Sequence, residues 1–438
     1  MGCFGSKNKA ILPDSQQRHR KLSKHSSLDL ELSDEIYIPF ESIFHLDVQE
    51  LYQIQTTIAK GKYGTVYLAT NNITHQQVAV KIQIRENQAA ILSELQITKK
   101  LDHPNIIKCL ETFQDSKFLY IVTEFCSGGE LIKHSSSFSE LYTKEIIYKL
   151  LLAVNHMHSN NIVHRDLKPE NVLIDSSGEM KIIDFGLSKI ISGEGKFTDI
   201  VGTPLYMAPE ITNGSYGAEC DLWSIGIIMH YMLLGSPPDL GNSKAEILKN
   251  LKSGKIGIDW SSDKWVFGKE AKDLMERLLC KNPQKRIGCR EALGHGWFRG
   301  GKRESRVPKE VVDKVRCMES ISRGQFLVLS VAVVGLEKGE INEAKKWFQI
   351  LDRENVGIVK VSGGGIDVQL GYSDFLICIL KETIIKKIVP QIYQWCVRDG
   401  YFSTEVLRSI LCRKGNYVSF SLFADKFVSL EDFQRFLL

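Results

Sequence analysis

No CxxC pair and no Cys/His cluster occurs among the ten cysteines of this 438-residue sequence. That argues against a zinc site or a disulfide framework and fits a reducing compartment. No apolar run is long enough to cross a bilayer. The longest, "FLVLSVAVVGL" at 326–336, falls well short of the ~20 residues required, and a buried helix is expected there. The N-terminus lacks the apolar h-region of a secretory signal. No tandem repeat is present. A charge excess is missing from the body as well. Of 56 Lys and Arg and 52 Asp and Glu, six and two lie in residues 1–30, leaving 50 of each sign in the remainder. A nucleic-acid-binding body is therefore not expected.

What is present begins with a polar tail over residues 1–45, rich in Ser and basic residues. Its first letters, "MGCFGS", fit an N-myristoylation pattern on Gly2, with Ser6 in the required place and Cys3 open to palmitoylation. One myristoyl chain binds membranes with a constant of only about 10⁴ M⁻¹, so a second signal is needed. Cys3 and the "RHRKLSK" cluster at 18–24 are the candidates. The expected location is the cytoplasmic side of a membrane, or the cytoplasm on release. The length of the whole chain allows about two to four domains.

From 52 to 82 the pattern is strand-like, and from 86 onward helical spacing dominates with interruptions. Within the first stretch, "IAKGKYGTV" comprises Ile58, Ala59, Lys60, Gly61, Lys62, Tyr63, Gly64, Thr65 and Val66. A small-residue turn between strands lets backbone N–H groups approach phosphates. "VAVK" follows, and Lys81 on this apolar strand is suited to the α- and β-phosphates. Glu94, in the helix-like "AAILSELQITKKL", is a partner that would fix it. "HRDLKPEN" (164–171) supplies Asp166 to accept a hydroxyl proton, Lys168 to neutralise a transferring phosphoryl group, and Asn171 to hold a metal. "DFG" (184–186) adds Asp184 as a second metal ligand, and "APE" (208–210) closes the segment.

In this order and spacing the motifs are those of the protein kinases. The resemblance covers 52–298 and is similar to the Ser/Thr kinases throughout, including "DLWSIG" (221–226) and "NPQKRIG" (282–288). It implies an α+β, bilobal fold, with a small β-rich lobe over a helical one, and an ion pair between Arg286 and Glu210. It implies ATP and Mg2+ as cofactors. Ala79 joins the nucleotide pocket, Glu124 and Cys126 offer backbone groups to adenine, and Thr123 is the gatekeeper. Glu130 would meet the ribose and a substrate Arg, with Glu170 a second acidic contact, so basic protein substrates are expected. One departure is Ala59, which stands where the family has its first loop glycine. Asp199 occupies the position at which many kinases carry a phosphorylatable Thr, and its fixed carboxylate would pair with Arg165. A pseudokinase scaffold is the alternative class. Against it, Lys81, Glu94, Asp166, Lys168, Asn171 and Asp184 are all present. A monomer is expected.

Beyond a basic junction (299–335) lies a helical region, 336–438, with degenerate calcium-type loops. Kinase, junction and loops together resemble the calcium-dependent protein kinases of plants and protists, in which EF-hands control the kinase through the junction. The junction sequence "VPKEVVDKVRCMESI" (307–321) reads as an amphipathic helix able to occlude the substrate groove. Frame 352–363 offers Asp352 and Glu354 as calcium ligands and Gly357 at the turn, but Val356, Lys360 and Gly363 stand at other ligand positions. Frame 363–374 ends in Asp374, and the two frames look like the start of one hand spliced to the end of the next. Frames 395–406 and 421–432 are also incomplete. The region is shorter than four hands require. Three readings stand open: a regulatory all-α domain that has lost calcium, a weak nonstandard site within 352–374, or a sequence from which coding segments have dropped.

Overall fold

Alternating apolar and polar residues in "YQIQTTI", "TVYLAT" and "VAVKIQI" build three consecutive strands after a single helical turn. These are α1 (Val48–Leu51), β1 (Tyr52–Gly61), β2 (Gly64–Asn71) and β3 (Gln77–Ile84). Helix α2 (Gln88–Lys100) leads to β4 (Cys109–Gln114) and β5 (Phe118–Glu124), completing an antiparallel sheet in the order β1-β2-β3-β5-β4. Val78 and Val80 enter a small core with Tyr52, Ala69, Phe113 and Val122. Side chains alternate along a strand, so Ala79 and Lys81 face the other way.

This computed structural model describes residues 48–61, 64–72, 74–84, 88–191, 195–258, 267–299, 307–316, 325, 328–329, 336, 338–363, 366–398, 401–402 and 433–434. Gly2, Cys3, Lys62 and Tyr63 lie outside them, as do most of 326–336 and most of the last two loop frames.

The second lobe begins with β6 (Gly129–Glu130) and α3 (Glu140–Ser159). Ser139 starts α3 by accepting the Tyr142 N–H at 3.1 Å. Short strands follow: β7 (Ile162–Val163), β8 (Val172–Ile174), β9 (Met180–Ile182) and β10 (Lys189–Ile190). They pair as β6-β8-β9 and β10-β7, and "HRDLKPEN" and "DFG" are strung between them. Helix α4 (Glu219–Leu234) buries Leu222, Trp223, Ile225, Ile228 and Met229. A helix apolar on all sides belongs at the centre of a domain, and α4 lies there. Around it are α5 (Lys244–Ser253), α6 (Lys269–Leu278) and α7 (Cys289–Leu293).

The C-terminal region has a core of its own, while Glu41–Leu438 form one compact unit. Helix α8 (Lys309–Arg316) lies among the described residues of the junction. Its Val311 and Val315 are buried with Phe348, Phe375 and Ile384 of that core. The expectation that the apolar face of 307–321 covers the substrate groove is corrected for 307–316, where that face packs into the C-terminal core; 317–321 lie outside the described residues. Helix α9 (Lys338–Leu351) enters the first loop frame. A hairpin, β11 (Val359–Gly363) with β12 (Ile366–Leu370), leads directly into α10 (Tyr372–Lys387), and α11 (Val389–Cys396) follows. The region is thus helical but not purely so. The hairpin stands where the opening half of one loop runs into the closing half of another.

Candidate active site

Strand β3 is flanked on both edges, and Lys81 sits opposite Val66 of β2 and Ile121 of β5. Its Nζ lies 2.6 Å from Glu94 Oε1 on α2, so the expected pair is formed. Both side chains are mostly shielded, which strengthens the attraction relative to bulk water. Above Lys81, β1 and β2 carry Ile58, Ala59, Lys60 and Gly61 against Gly64, Thr65 and Val66, with Ala59 paired to Val66 and Gly61 to Gly64. Gly64 is needed sterically, because a Cβ there would stand 2.3 Å from the Ile82 carbonyl oxygen. Ala59 takes strand backbone with its side chain exposed, so nothing local demands glycine.

Ala79 pairs across the sheet with Thr123, bringing two expected pocket residues together. At Glu124 the backbone N–H donates to the Lys108 carbonyl at 3.2 Å. The Glu124 side chain accepts from Lys181 Nζ at 2.8 Å and from the Lys108 N–H at 2.9 Å. Cys126 is buried, and its carbonyl accepts the Gly129 N–H at 3.3 Å.

The catalytic loop is held from below. Asp221, fully buried at the start of α4, accepts the N–H groups of His164 and Arg165, both at 2.9 Å, and His158 Nε2 at 2.8 Å. Burial alone would lower the His158 pKa, but hydrogen bonds to Asp221 and Cys289 and the charge of Asp221 raise it to about 10. Arg165 and Asp184 both occupy the left-handed region, at φ 69° and 63°. Such strain persists where surrounding bonds over-determine it, as those of Asp221 do at Arg165.

Asp166 Oδ1 accepts both the N–H and the hydroxyl of Thr203, at 2.7 and 2.8 Å. Lys168 Nζ reaches Asp166 Oδ2 at 2.8 Å and Thr203 Oγ1 at 3.0 Å. Asn171 donates its Nδ2 to the Asp166 carbonyl at 2.8 Å. The Asn171 carbonyl in turn accepts the Ile183 N–H at 2.9 Å, so Asp184 lies one residue beyond the partner of Asn171. An amide oxygen and a carboxylate on neighbouring segments are hard donors of the kind Mg2+ takes.

Arg165 Nη1 meets Asp199 Oδ2 at 2.9 Å, fulfilling the pair expected from the sequence. Lys189 reaches the same oxygen at 3.0 Å, and the Tyr216 hydroxyl donates to the Asp199 carbonyl at 2.8 Å. Burial opposes ionisation of Asp199, but the bonds from Lys189 and Arg165 hold its carboxyl down at about 2. Glu210 and Arg286 form a buried two-pronged pair at 2.5 and 2.9 Å, with Arg286 also over the Trp223 ring.

Glu130 lies 3.4 Å from Lys133. Glu170 has one buried carboxylate oxygen without a protein partner, beside Tyr206. Sequence reasoning assigned no role to His158, Asp221, Thr203, Lys189 or Tyr216. Asp221 lay within "DLWSIG" and Thr203 between "DFG" and "APE", but their bonds reach 37 to 63 residues along the chain.

Asp352 and Glu354 are not brought together as a ligand pair. Asp352 is buried, and its two oxygens accept the N–H groups of Val356 at 3.1 Å and Gly357 at 2.7 Å. Glu354 instead meets Lys360 at 3.0 Å. Val356 is buried as an apolar residue, and Gly363 pairs with Ile366 in the hairpin. Among the described residues no cluster of three or more His, Cys, Asp or Glu forms a metal cage.

Comparison with known proteins agrees with this geometry. The protein kinase domain family matches residues 52–298. The chain is 34% identical over 389 residues to calcium-dependent protein kinase 5 of Plasmodium berghei, covering 82% of this chain and 69% of that protein. It is 35% identical to calcium-dependent protein kinase 5 of Plasmodium falciparum, over 72% of this chain and 58% of the other. With calcium-dependent protein kinase 11 of Arabidopsis thaliana it shares 34% identity, over 71% of this chain and 66% of the relative. A formed Lys81–Glu94 pair, a braced Asp166 loop and these relatives lead to one assignment: the chain is a protein Ser/Thr kinase and belongs to the calcium-dependent protein kinases.

Proposed function

We propose that the chain transfers the γ-phosphoryl group of ATP to Ser and Thr hydroxyls of basic proteins. The observation that carries this reading is the coexistence of the Lys81–Glu94 pair with an activation segment held by the ion pair of Arg165 and Asp199. In this reading Asp166 orients the hydroxyl and accepts its proton as the new O–P bond forms. The β–γ bridging bond breaks, and ADP leaves. Lys168, bonded to Asp166, follows the charge on the transferring group, and Lys81 holds the α- and β-phosphates. Asn171 and Asp184 would hold Mg2+, which when bound supplies charge neutralisation at the phosphates. Thr123 leaves room behind adenine, while the backbone of Glu124 and Cys126 addresses its edge.

Glu130, whose carboxylate is partly exposed beside Lys133, favours a substrate with Arg three residues before the target. In the tail, Gly2 and Cys3 are the acylation sites, and the cluster at 18–24 adds attraction to an anionic leaflet. Replacing Asp166 by Asn tests the assignment. Peptide phosphorylation should fall by at least about a hundredfold while ATP still binds; near-normal turnover would refute it.

A further inference from the structure

The kinase lobes are gripped by the C-terminal region at four places. Gln76, in the β2–β3 turn, donates to the Leu336 carbonyl at 3.0 Å. Asp102, just after α2, accepts the Ser373 N–H at 2.7 Å on one oxygen and the Ser373 hydroxyl at 2.8 Å on the other. On α3 of the helical lobe, Asn155 donates to the Asn355 carbonyl and His156 Nδ1 meets the Val356 carbonyl at 2.6 Å. Glu179, in the β8–β9 turn, takes Lys345 of α9 as well as Lys149 of α3. The C-terminal region thus touches both lobes.

Two of these contacts explain features that calcium chemistry leaves unexplained. Helix α10 has Gly371 at its N-cap, with no side-chain cap of its own. Asp102 of the kinase supplies the missing carboxylate, satisfying an N–H of the first turn and countering the helix dipole. The second feature is the loop 352–358. Asp352 folds it by accepting two backbone N–H groups, and Lys360 places a positive charge on Glu354. Asn355 and Gly357, at φ 54° and 79°, turn the loop so that the 355 and 356 carbonyls point at α3. Gly357 packs so closely that a Cβ would stand 2.2 Å from His156 Nδ1. The Val356 carbonyl can only accept, so His156 donates to it from Nδ1, and burial lowers the pKa of the ring.

The path from this grip to the nucleotide is short. Asp102 also holds Lys108 Nζ at 2.7 Å, and Lys108 bonds Glu124 through its backbone in both directions. Glu124 is the adenine-edge residue proposed above.

We infer that loop 352–358 has become a calcium-independent docking element, and that Asp102, Ser373 and His156 are positioning residues which hold the segment 102–108 and the adenine edge in place. This rests on the kinase reading, and it makes the C-terminal region a support for activity rather than a brake on it.

The test uses the full chain with Gly357→Val, which collides with His156, and separately Ser373→Ala, which removes one hydroxyl from the Asp102 contact and leaves folding little affected. Initial rates against ATP and against peptide are measured with calcium chelated and in about 10 µM free calcium. Hydrogen exchange is followed at 102–108 and 124–126. The KM for ATP should rise about three- to tenfold in both variants, with peptide KM little changed. Ser373→Thr should restore it, and exchange should accelerate at both segments. Unchanged or increased activity in the variants overturns the inference, as does a wild-type rate that rises more than about tenfold with calcium. Exchange reads the grip without catalysis. An unaltered chain that never phosphorylates peptide therefore defeats the kinase reading alone, whereas unchanged exchange defeats the grip alone.

Discussion

Single side chains decide whether this site is assembled. Arg286 and Glu210 are both buried, and Arg286 also spends bonds on the carbonyls of Cys280 and Glu219. Removing one member of such a pair strands the other charge. Arg286→Ala should therefore cost about 3–5 kcal/mol in urea denaturation. Arg286→Lys should rescue little of it, because an ammonium can neither fork to two oxygens nor stack on Trp223. Asp199 acts on rate instead. Lys189 and Arg165 hold its carboxyl down at about 2, so it stays ionised through the working range and loses its charge only as pH falls through about 2. Asp199→Ala leaves Arg165 and Lys189 without their shared oxygen. The kcat should fall about tenfold, which corresponds to one charge-assisted hydrogen bond of roughly 1.4 kcal/mol. A peptide assay at neutral pH reads this directly.

At the scale of elements, what was legible follows the range of the forces involved. Strands β1 to β3 were visible because alternation is a local property, and "VAVK" put Lys81 on the face opposite Val78 and Val80. The pairing of Lys81 with Glu94 was suggested by the motifs, and those of Arg165 with Asp199 and Arg286 with Glu210 by the resemblance to the protein kinases. Asp221 was not legible as the support of Arg165, nor Thr203 as the partner of Asp166, since those bonds exist only after tertiary folding. The C-terminal region was read for ligands, but its residues answer to docking. Asp352 serves its own backbone, and Ser373 serves Asp102. Junction helix α8 showed the amphipathic pattern, but the pattern does not say which surface it covers. Capping follows local rules. Ser139→Ala should remove the bond to the Tyr142 N–H and cost about 1 kcal/mol in thermal or urea unfolding.

For the whole molecule, the His158–Asp221 pair ties stability to pH. Folding raises the His158 pKa from 6.5 to about 10, so the folded state holds its proton where the unfolded state has lost it. The stabilisation is complete below 6.5 and is lost as pH rises through 10. The slope from this one group is at most about 1.4 kcal/mol per pH unit. Unfolding free energies measured between pH 6.5 and 10 should fall with pH, and His158→Gln should flatten that limb.

The most direct test of the account is phosphotransfer by the unaltered chain. Supplied with Mg·ATP and a Ser peptide carrying Arg three residues before the target, with calcium chelated, it should phosphorylate the peptide. Micromolar calcium should change the rate by less than about tenfold. ATP binding with no transfer to any peptide, with or without calcium, would contradict it.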